Sequence, residues 1–485
     1  MNYKMIGRIL SMVALAELLF MIPALLISVA YDRDGATHAF AVTIAAVGIL
    51  SLITYFACIK SETRFYAREG LVSVGLGWIV LSLIGCLPFY ISGEIPNFLD
   101  AFFESVSGFT TTGASIMSNV EGLTEGMLYW RSFTHWLGGM GVLVFILAVI
   151  PASGKSSGFT MHLLRAESPG PDVGKLVPRM RQTAVILYGL YIVLTILDFV
   201  FLLAGHMDVL EAICTAFGTA GTGGFGVKND SIASYSPYIQ NVCTVFMILF
   251  GINFTCYYFL LLGKVKDVFK DEELRLYLGV IAASIVLIAI NIRPMYDSLE
   301  ETVRHSAFQV ATVITTTGFA TTDFDMWPTF SKMIMVMLMF IGASAGSTGG
   351  GFKCGRLLLL FKTLRRNLEK TLNPQKIKVV RNNGRPVNEK VLLSLYTYLI
   401  AYVFIMIVSI LVVSLNGESM TTTVTAVIAC FNNIGPGLDG VGPTCNYGGL
   451  NVLSKVTLIF DMLAGRLEIF PILLLITRKT WKKLV

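Results

Sequence analysis

The chain has 485 residues, of which 54% are hydrophobic and only 14% are charged, and its mean hydropathy is +0.70. This balance excludes a chain built mainly from water-soluble domains and indicates a protein that folds in a lipid bilayer. Eight cysteines without a CxxC pair and five dispersed histidines without an HExxH sequence exclude the usual signatures of a metal enzyme.

Apolar stretches recur along the whole chain, and about 20 such residues suffice to cross the hydrocarbon core of a bilayer. The first stretch is too long for a signal-peptide core and lacks a small-residue cleavage site, so we expect a membrane helix and a mature protein that begins at Met1. The sequence therefore predicts an all-α polytopic membrane protein. The ten predicted spans are 6–30, 38–58, 71–92, 130–150, 183–204, 239–262, 276–292, 327–360, 391–414 and 452–477.

Basic residues predict the orientation of these spans. With the amino terminus inside, cytoplasmic segments hold 27 of the 37 lysines and arginines, whereas outside loops hold 4. This bias predicts that the chain lies in a cell membrane with both termini in the cytoplasm. Acidic residues favour the outside, with 17 of 31 there, and this either concentrates cations at a negative outer mouth or reflects the ordinary composition of polar loops. The acids considered are Asp100, Glu104, Glu121, Glu125, Glu211, Asp230, Asp323 and Asp325.

One pattern repeats four times after the first two spans. Two spans flank an outside segment that contains a short apolar helix followed by Thr and Gly, or by Asn and Gly in the fourth copy. We therefore expect two leading transmembrane helices and four repeats of span, pore loop and span around a pseudo-fourfold pore. The predicted segments are 1–69 for the leading helices, then 70–182, 183–275, 276–390 and 391–485 for the four repeats.

Each outside segment is predicted to re-enter the membrane and to stop at glycine. Irregular backbone at membrane depth is tolerated only where it lines water or is packed inside protein. Glycine permits the positive φ that turns successive carbonyl oxygens toward one axis, and rings of such oxygens can replace the hydration shell of potassium. The clearest candidate filter residues are Thr111, Thr112 and Gly113 in the first turn, Thr316, Thr317 and Gly318 in the third, and Asn433, Ile434 and Gly435 in the fourth.

The second turn has two possible registers. Spacing from Glu211 favours a turn that ends at Gly224, whereas the Thr-Gly pair alone favours Thr222 and Gly223. Contact between helices through small residues is the alternative explanation for any single turn of this kind, but four such turns between pairs of spans favour a filter. The candidate residues of the second turn are Ala220, Gly221, Thr222, Gly223 and Gly224.

Six segments together resemble a known family, the Trk/Ktr superfamily of potassium translocation subunits, in its TrkH/TrkG type. The resemblance covers essentially the whole chain and implies a potassium uptake channel subunit with fewer ordered ion sites, and more moderate selectivity over sodium, than ordinary potassium channels. The segment GTAGTGGFGVKND (218–230) is richer in glycine than the family pattern. The supporting segments are FTTTGAS (109–115), HWLGGMGVL (135–143), TTTGF (315–319), GASAGSTGGGFK (342–353), NNIGPGL (432–438) and AGRLEIFP (464–471).

Span 327–360 is too long for one straight crossing and contains the segment GASAGSTGGG, which cannot hold a stable helix. The resemblance implies that this segment is an intramembrane loop that obstructs the pathway beneath the filter and moves on activation. A glycine-rich kink where helices pack closely is the alternative. The residues that match the family's gate loop are Gly346, Ser347, Thr348 and Gly349.

Arg466 lies in an otherwise apolar span, where an ionisable group is costly unless it faces water or a partner. We expect it to face the pore, and the resemblance implies an arginine that repels cations just below the filter and acts with the loop as a gate. A structural ion pair with Glu468 or another acid is the alternative. Lys455 in the same span could extend outward to the membrane surface.

The cytoplasmic segment 362–390 carries nine basic residues. Contact with lipid head groups explains such a segment, and the resemblance adds docking of a cytosolic nucleotide-binding protein of the TrkA type. The chain contains no Walker A sequence and no GxGxxG after a strand, so we expect no organic cofactor and K⁺ only as the transported ion. The resemblance also implies a homodimer with one pore per subunit, and nucleic acid is not expected as a partner.

Three other functions compete with a potassium channel. A cation-coupled secondary transporter, such as a K⁺/H⁺ or K⁺/Na⁺ symporter, would place its site at broken helices related by inverted repeats, whereas the repeats here run in one direction. A sodium-permeable channel is compatible with the same filter residues. A membrane enzyme is not expected, because no cluster offers a nucleophile beside a base.

Overall fold

The computed structural model shows that the described residues are mostly helical. A short hairpin, Arg381–Asn382 paired with Arg385–Pro386, is the only sheet among the described residues. Parts of the predicted fourth span and of three predicted cytoplasmic segments lie outside the described residues, and so does most of segment 152–182. The residues that the structure describes are 1–31, 35–59, 67–141, 180–375 and 378–481.

Two long apolar helices, α1 (Tyr3–Tyr31) and α2 (Gly35–Cys58), open the chain. They are antiparallel neighbours, because Gly7 near the start of α1 lies against the Cys58 side chain at the end of α2. Helix α1 also packs on the first helix of the unit that follows. The predicted pair of leading helices is therefore confirmed.

Four units of similar build follow the leading helices, and this confirms the predicted repeat architecture. Each unit has a first membrane helix, a short pore helix and a second membrane helix. The first unit contains α3 (Ala67–Gly85), α4 (Leu87–Ser92), α5 (Phe98–Phe109) and α6 (Glu125–Met140). The second contains α7 (Met180–Ala204), α8 (Val209–Gly221), α9 (Pro237–Phe250) and α10 (Phe254–Leu261), and α11 (Val265–Lys270) connects it to the third. The third contains α12 (Glu272–Ile292), α13 (Leu299–Ile314), α14 (Thr329–Ile341) and α15 (Cys354–Leu372), and the fourth contains α16 (Glu389–Val413), α17 (Met420–Phe431), α18 (Val452–Arg466) and α19 (Phe470–Ile476).

The four pore helices, α5, α8, α13 and α17, begin in the same way. At each start a side-chain oxygen accepts a hydrogen bond from a backbone N–H two or three residues further on, which satisfies a donor that a helix start leaves unpaired. Most residues of these helices are buried, as re-entrant segments at membrane depth require. The capping residues are Asn97, Asp208, Ser298 and Ser419.

The second membrane helix is interrupted in the second, third and fourth units. Helices α9 and α10 meet at a bend of 88°, residues 342–353 separate α14 from α15, and residues 467–469 separate α18 from α19. The sequence predicted only the glycine-rich interruption in the third unit. In the fourth, Glu468 and Ile469 have φ values of 54° and 71°, a backbone region that neither residue type favours.

Among the described residues, fewer single helices are long enough to cross a membrane than the ten predicted spans suggest. In the described residues, six helices are long and apolar enough to cross a bilayer, and the bent pair α9/α10 makes a seventh. The predicted spans 239–262, 327–360 and 452–477 are therefore each divided into shorter helices. These interruptions matter for the site, because they lie beneath the ends of the pore helices.

Polarity is distributed as expected for a protein in lipid. Large apolar side chains are exposed along the outer helices, for example Leu393, Ile400 and Phe404 on α16. Polar threonines after the pore helices are buried in the centre, among them Thr111 and Thr316. A multi-pass membrane protein accounts for both observations, because lipid replaces water around the outer surface and backbone polar groups are satisfied inside.

Candidate ion pathway

All four pore helices end in turns with the same backbone conformation. The first residue of each turn has a φ between 53° and 59°, although it is not glycine, and the third residue is a glycine with a φ between 77° and 95°. Such left-handed conformations are costly for residues other than glycine and persist where surrounding structure enforces them. The four turns are Thr111 to Gly113, Thr222 to Gly224, Thr316 to Gly318 and Asn433 to Gly435.

Backbone hydrogen bonds show that the turns are equivalent residue by residue. In each turn the first N–H donates to the carbonyl oxygen three residues earlier, and the second N–H donates to the one five residues earlier. The second turn fits this pattern at Thr222 and Gly223, whose N–H groups bond to Thr219 and Gly218 at 3.1 and 2.9 Å. Its register is therefore 222–224, while Ala220 and Gly221 lie in pore helix α8.

The four turns meet in a closed ring. The third-position glycine of each turn lies so close to the next turn that an added Cβ would overlap a carbonyl oxygen there. The glycine of the fourth turn makes the same contact with the first turn. Each of these oxygens belongs to the central residue of its turn. The four contacts join Gly113 to Gly223, Gly224 to Thr317, Gly318 to Ile434 and Gly435 to Thr112. Backbone oxygens from four unlike turns are thus brought together about a common axis.

Polar side chains behind the ring bond to one another. The hydroxyl groups of Thr110 and Thr112 are 2.8 Å apart, and those of Thr315 and Thr317 are also 2.8 Å apart. Asn433 donates from Nδ2 to the hydroxyl of Thr112 at 3.0 Å. These bonds fix the side chains of the first, third and fourth turns.

The glycine-rich loop of residues 342–353 lies directly beneath the third and fourth turns. The N–H of Gly350 donates to the Thr316 hydroxyl at 2.6 Å, and an added Cβ on Gly350 would meet the Asn432 carbonyl oxygen at 2.6 Å. On the other side of the loop, Phe254 donates its N–H to the Gly346 carbonyl oxygen at 3.1 Å. The loop is thus held between the ring and the break in the second unit.

The remaining predicted gate residues lie within this loop. Ser347 donates its hydroxyl to the Ser344 carbonyl oxygen at 2.6 Å, and Thr348 donates to the Phe250 carbonyl oxygen at 3.3 Å. A Cβ added to Gly349 would lie 2.8 Å from the carbonyl oxygen of Thr315, the residue before the third turn. All four predicted residues therefore lie in this loop, and Gly349 is the one closest to the third turn.

Arg466 reaches the loop from the end of α18. Its guanidinium donates to the carbonyl oxygen of Thr348 at 2.9 Å and to that of Gly139 at 2.7 Å. Glu468, the acid considered as its ion-pair partner, instead pairs with Arg356. Arg466 therefore binds backbone oxygens of the first and third units.

Several charged residues near the pathway were missed by sequence reasoning. Glu273, at the start of α12, accepts the N–H of Ala345 in the loop at 2.6 Å, and Lys353 donates to the Gly349 carbonyl oxygen. Arg131 in α6 pairs with Glu104 in pore helix α5 at 2.7 Å. The sequence signal that could have identified these residues is their position, since each is a charged residue inside or at the end of an apolar segment.

Ion pairs compensate several of the acids that are predicted to lie on the outer side. Lys455 pairs with Asp100 at 2.6 Å, and Lys332 pairs with Asp325 at 3.5 Å. The Glu104 carboxylate is likewise paired, because it contacts Arg131. The negative potential at the predicted outer mouth is therefore smaller than a simple count of acids indicates.

Comparison with known proteins decides the family. The TrkH model, described as a cation transport protein, matches residues 36–483. The chain belongs to the TrkH family. Among TrkH-family relatives, the "Trk system potassium uptake protein TrkH" of Escherichia coli strain K12 is 35% identical over 490 residues and covers 100% of both chains. The "Trk system potassium uptake protein TrkG" of the same strain is 31% identical over 470 residues, 96% of each chain.

A solved structure of the TrkH family has the same fold. The crystal structure of the potassium transporter TrkH from Vibrio parahaemolyticus superposes with a TM-score of 0.87 at 31% identity, and the match covers 99% of this chain and 100% of that one. The similarity extends over the leading helices and all four units. This TrkH-family chain is therefore a multi-pass membrane protein of a cation transport family.

Proposed function

We propose that this chain conducts potassium ions into the cell as the pore-forming subunit of a Trk-type uptake system. The ring of four equivalent turns is the observation that carries the proposal, because its central carbonyl oxygens come from all four units. Oxygens grouped in this way can replace the water around a dehydrated alkali ion. The relatives named potassium uptake proteins support K⁺ as the transported ion.

The loop and Arg466 form the gate in this proposal. The loop lies under the third and fourth turns, so an ion that leaves the ring inward meets Gly350 and Thr348 before it reaches the cytoplasm. Arg466 adds a positive charge at the same level, which opposes the passage of cations. Conduction then requires the loop to move and the hydrogen bond from Arg466 to Thr348 to break.

A cytosolic nucleotide-binding protein of the TrkA type is proposed to control this movement. Both termini lie in the cytoplasm in this arrangement, and helix α15 presents basic residues there, including Lys362, Arg365 and Arg366. Lys362 and Arg366 pair with acids of the same chain. Arg365 is largely exposed beside Glu369, so its guanidinium is within reach of a partner or of anionic lipid head groups. Two copies of the chain, each with its own pore, form the proposed assembly.

Uptake of rubidium into proteoliposomes tests the proposal. Purified chain is reconstituted alone and with the cytosolic partner, and unlabelled potassium or sodium is added as competitor. We expect potassium to suppress rubidium uptake at much lower concentration than sodium does. Equal competition by sodium would identify a sodium-permeable channel, and reporter fusions at each terminus check the orientation.

Single-channel recording in planar bilayers distinguishes a channel from a symporter. Discrete currents carried by potassium are expected, because a continuous pathway passes many ions for each opening. Potassium movement without such currents, accompanied by proton or sodium flux in fixed ratio, would identify a coupled transporter and overturn the channel proposal.

A further inference from the structure

The second turn of the ring lacks a feature that the first and third share. In those turns a pair of threonine hydroxyls, such as Thr110 with Thr112, bonds at 2.8 Å behind the carbonyl ring. The equivalent positions of the second turn are Gly221 and Gly223. The second quarter of the ring therefore lacks this hydroxyl pair, and Thr222 is its only residue with a side chain among 221–224.

Backbone conformation does not explain why Gly223 is glycine. Gly224 has a φ of 77°, a region that favours glycine, whereas Gly223 is not among the residues with positive φ. Space explains it instead, because a Cβ on Gly223 would overlap the imidazole ring of His135, and one on Gly221 would overlap the His135 backbone. His135 occupies the volume that side chains fill in the other turns.

The imidazole of His135 also joins the first and second quarters of the ring. Its Nδ1 lies 2.8 Å from the carbonyl oxygen of Gly108 in pore helix α5, and its Nε2 accepts the N–H of Phe225 at 3.2 Å. A carbonyl oxygen only accepts hydrogen bonds, so Nδ1 carries the proton and the ring is neutral. The residue is fully buried, and both ring nitrogens are satisfied.

Arg131, one helical turn before His135 on α6, holds the residues that follow the same turn. Its Nη1 donates to the Gly226 carbonyl oxygen at 3.1 Å, and its guanidinium carbon lies 3.5 Å from the centre of the Phe225 ring. The His135 ring is 4.1 Å from that same phenyl ring. Two side chains of helix α6 therefore contact the residues that directly follow the second turn.

We propose that His135 is the positioning residue of the second filter turn and that discrimination between potassium and sodium depends on it. The inference rests on the proposed potassium pathway. The imidazole replaces the missing hydroxyl pair as packing, and it fixes Phe225 N through a hydrogen bond. Without it, the backbone of the second turn can move toward a smaller ion, and the ring then accepts sodium more readily.

Rubidium and sodium uptake by His135 variants in proteoliposomes tests this inference. His135→Ala should lower the ratio of rubidium to sodium uptake by about tenfold, the factor expected when a buried N–H loses its partner. His135→Gln should retain most of the ratio, because one amide can donate to Gly108 and accept from Phe225. His38→Ala serves as the matched control, since this histidine is exposed on leading helix α2, outside the four pore units, and should leave the ratio unchanged.

An exchange of volume between the two sites gives a second, independent test. Gly223→Ser should strongly reduce rubidium uptake in the natural chain, because the new side chain overlaps the imidazole. Combined with His135→Ala, the same change should cause little further loss and should raise the rubidium to sodium ratio above that of His135→Ala alone. Size-exclusion profiles identify variants that do not fold, and His135→Gln then carries the comparison.

The outcomes separate this inference from the proposed function. Selective rubidium uptake by the natural chain, together with an unchanged ratio in His135→Ala, would overturn the role of His135 and leave the pathway intact. Equal damage from Gly223→Ser with and without His135 would overturn it as well. Absence of rubidium uptake by the natural chain would overturn both proposals.

Discussion

Arg466 donates a hydrogen bond to the carbonyl oxygen of Thr348 across 2.9 Å, and so the last unit holds the loop that belongs to the third. The same guanidinium donates to Gly139 at 2.7 Å, at the end of the second helix of the first unit. Three of the four units therefore meet at one side chain beneath the ring. Glu468 forms its ion pair with Arg356. The contact between Arg466 and Thr348 is therefore distinct from that ion pair.

Replacing Arg466 by Ala should increase ion flux. The change removes both the positive charge below the ring and the hydrogen bond to Thr348 that holds the loop, and about 1.4 kcal/mol of lost repulsion corresponds to a tenfold higher rate. Rubidium uptake and bilayer conductance measure the effect. Arg478→Ala, a change at an exposed arginine beyond α19, is the control, and a loss of flux by well-folded Arg466→Ala would favour a purely structural role.

Removing Glu273 should make the closed pathway leak. Its carboxylate accepts the Ala345 N–H at 2.6 Å, so Glu273→Ala frees one side of the loop and leaves that N–H unpaired. Glu273→Gln keeps an oxygen acceptor and should remain close to the natural chain. Basal rubidium efflux without the cytosolic partner measures the leak. Equal efflux from both variants would show that the bond does not restrain the loop.

Gly318→Ala should abolish most selective uptake. Gly318 has a φ of 92°, which costs a residue with a Cβ about 1–3 kcal/mol, and the new methyl group would also overlap the Ile434 carbonyl oxygen of the next turn. Gly279→Ala is the matched control, because nothing lies within 4 Å of a Cβ added there. Normal rubidium uptake by Gly318→Ala would contradict the ring geometry.

Arg131→Met should destabilise the protein strongly. It leaves the buried Glu104 carboxylate without its cation, and the loss of one partner from a buried pair typically costs about 3–5 kcal/mol. Adding Glu104→Gln removes the uncompensated charge and should restore part of the melting temperature. Thermal unfolding in detergent measures both variants. A double variant less stable than Arg131→Met alone would show that the charges do not compensate each other.

The four turns could be predicted because their signal is local. A short apolar helix followed by Thr and Gly identifies Thr111 to Gly113 and Thr316 to Gly318 directly. The second turn could not be aligned with the same certainty, since Gly221, Gly223 and Gly224 offer three glycines and only one of them needs a positive φ. Its register follows from hydrogen bonds that only the folded chain displays.

Contacts between residues far apart in the chain could not be predicted from the sequence. His135 meets Phe225 from 90 positions away, and Arg131 meets Glu104 from 27, so neither pair follows from local spacing. The break after Arg466 was also missed, because Ile469 is β-branched and ordinarily avoids a φ of 71°. Tertiary surroundings determine it, since Ile469 is fully buried and Glu468 is held by Arg356.

One polypeptide supplies the central residues of all four turns, and they are not all the same residue type: Thr112, Gly223, Thr317 and Ile434. In a pore assembled from identical subunits, every mutation appears on all sides at once. In this chain a single substitution changes one of the four turns and leaves the other three unchanged. Evolution can therefore adjust the preference of such a chain in small steps, and each side is free to acquire its own neighbours.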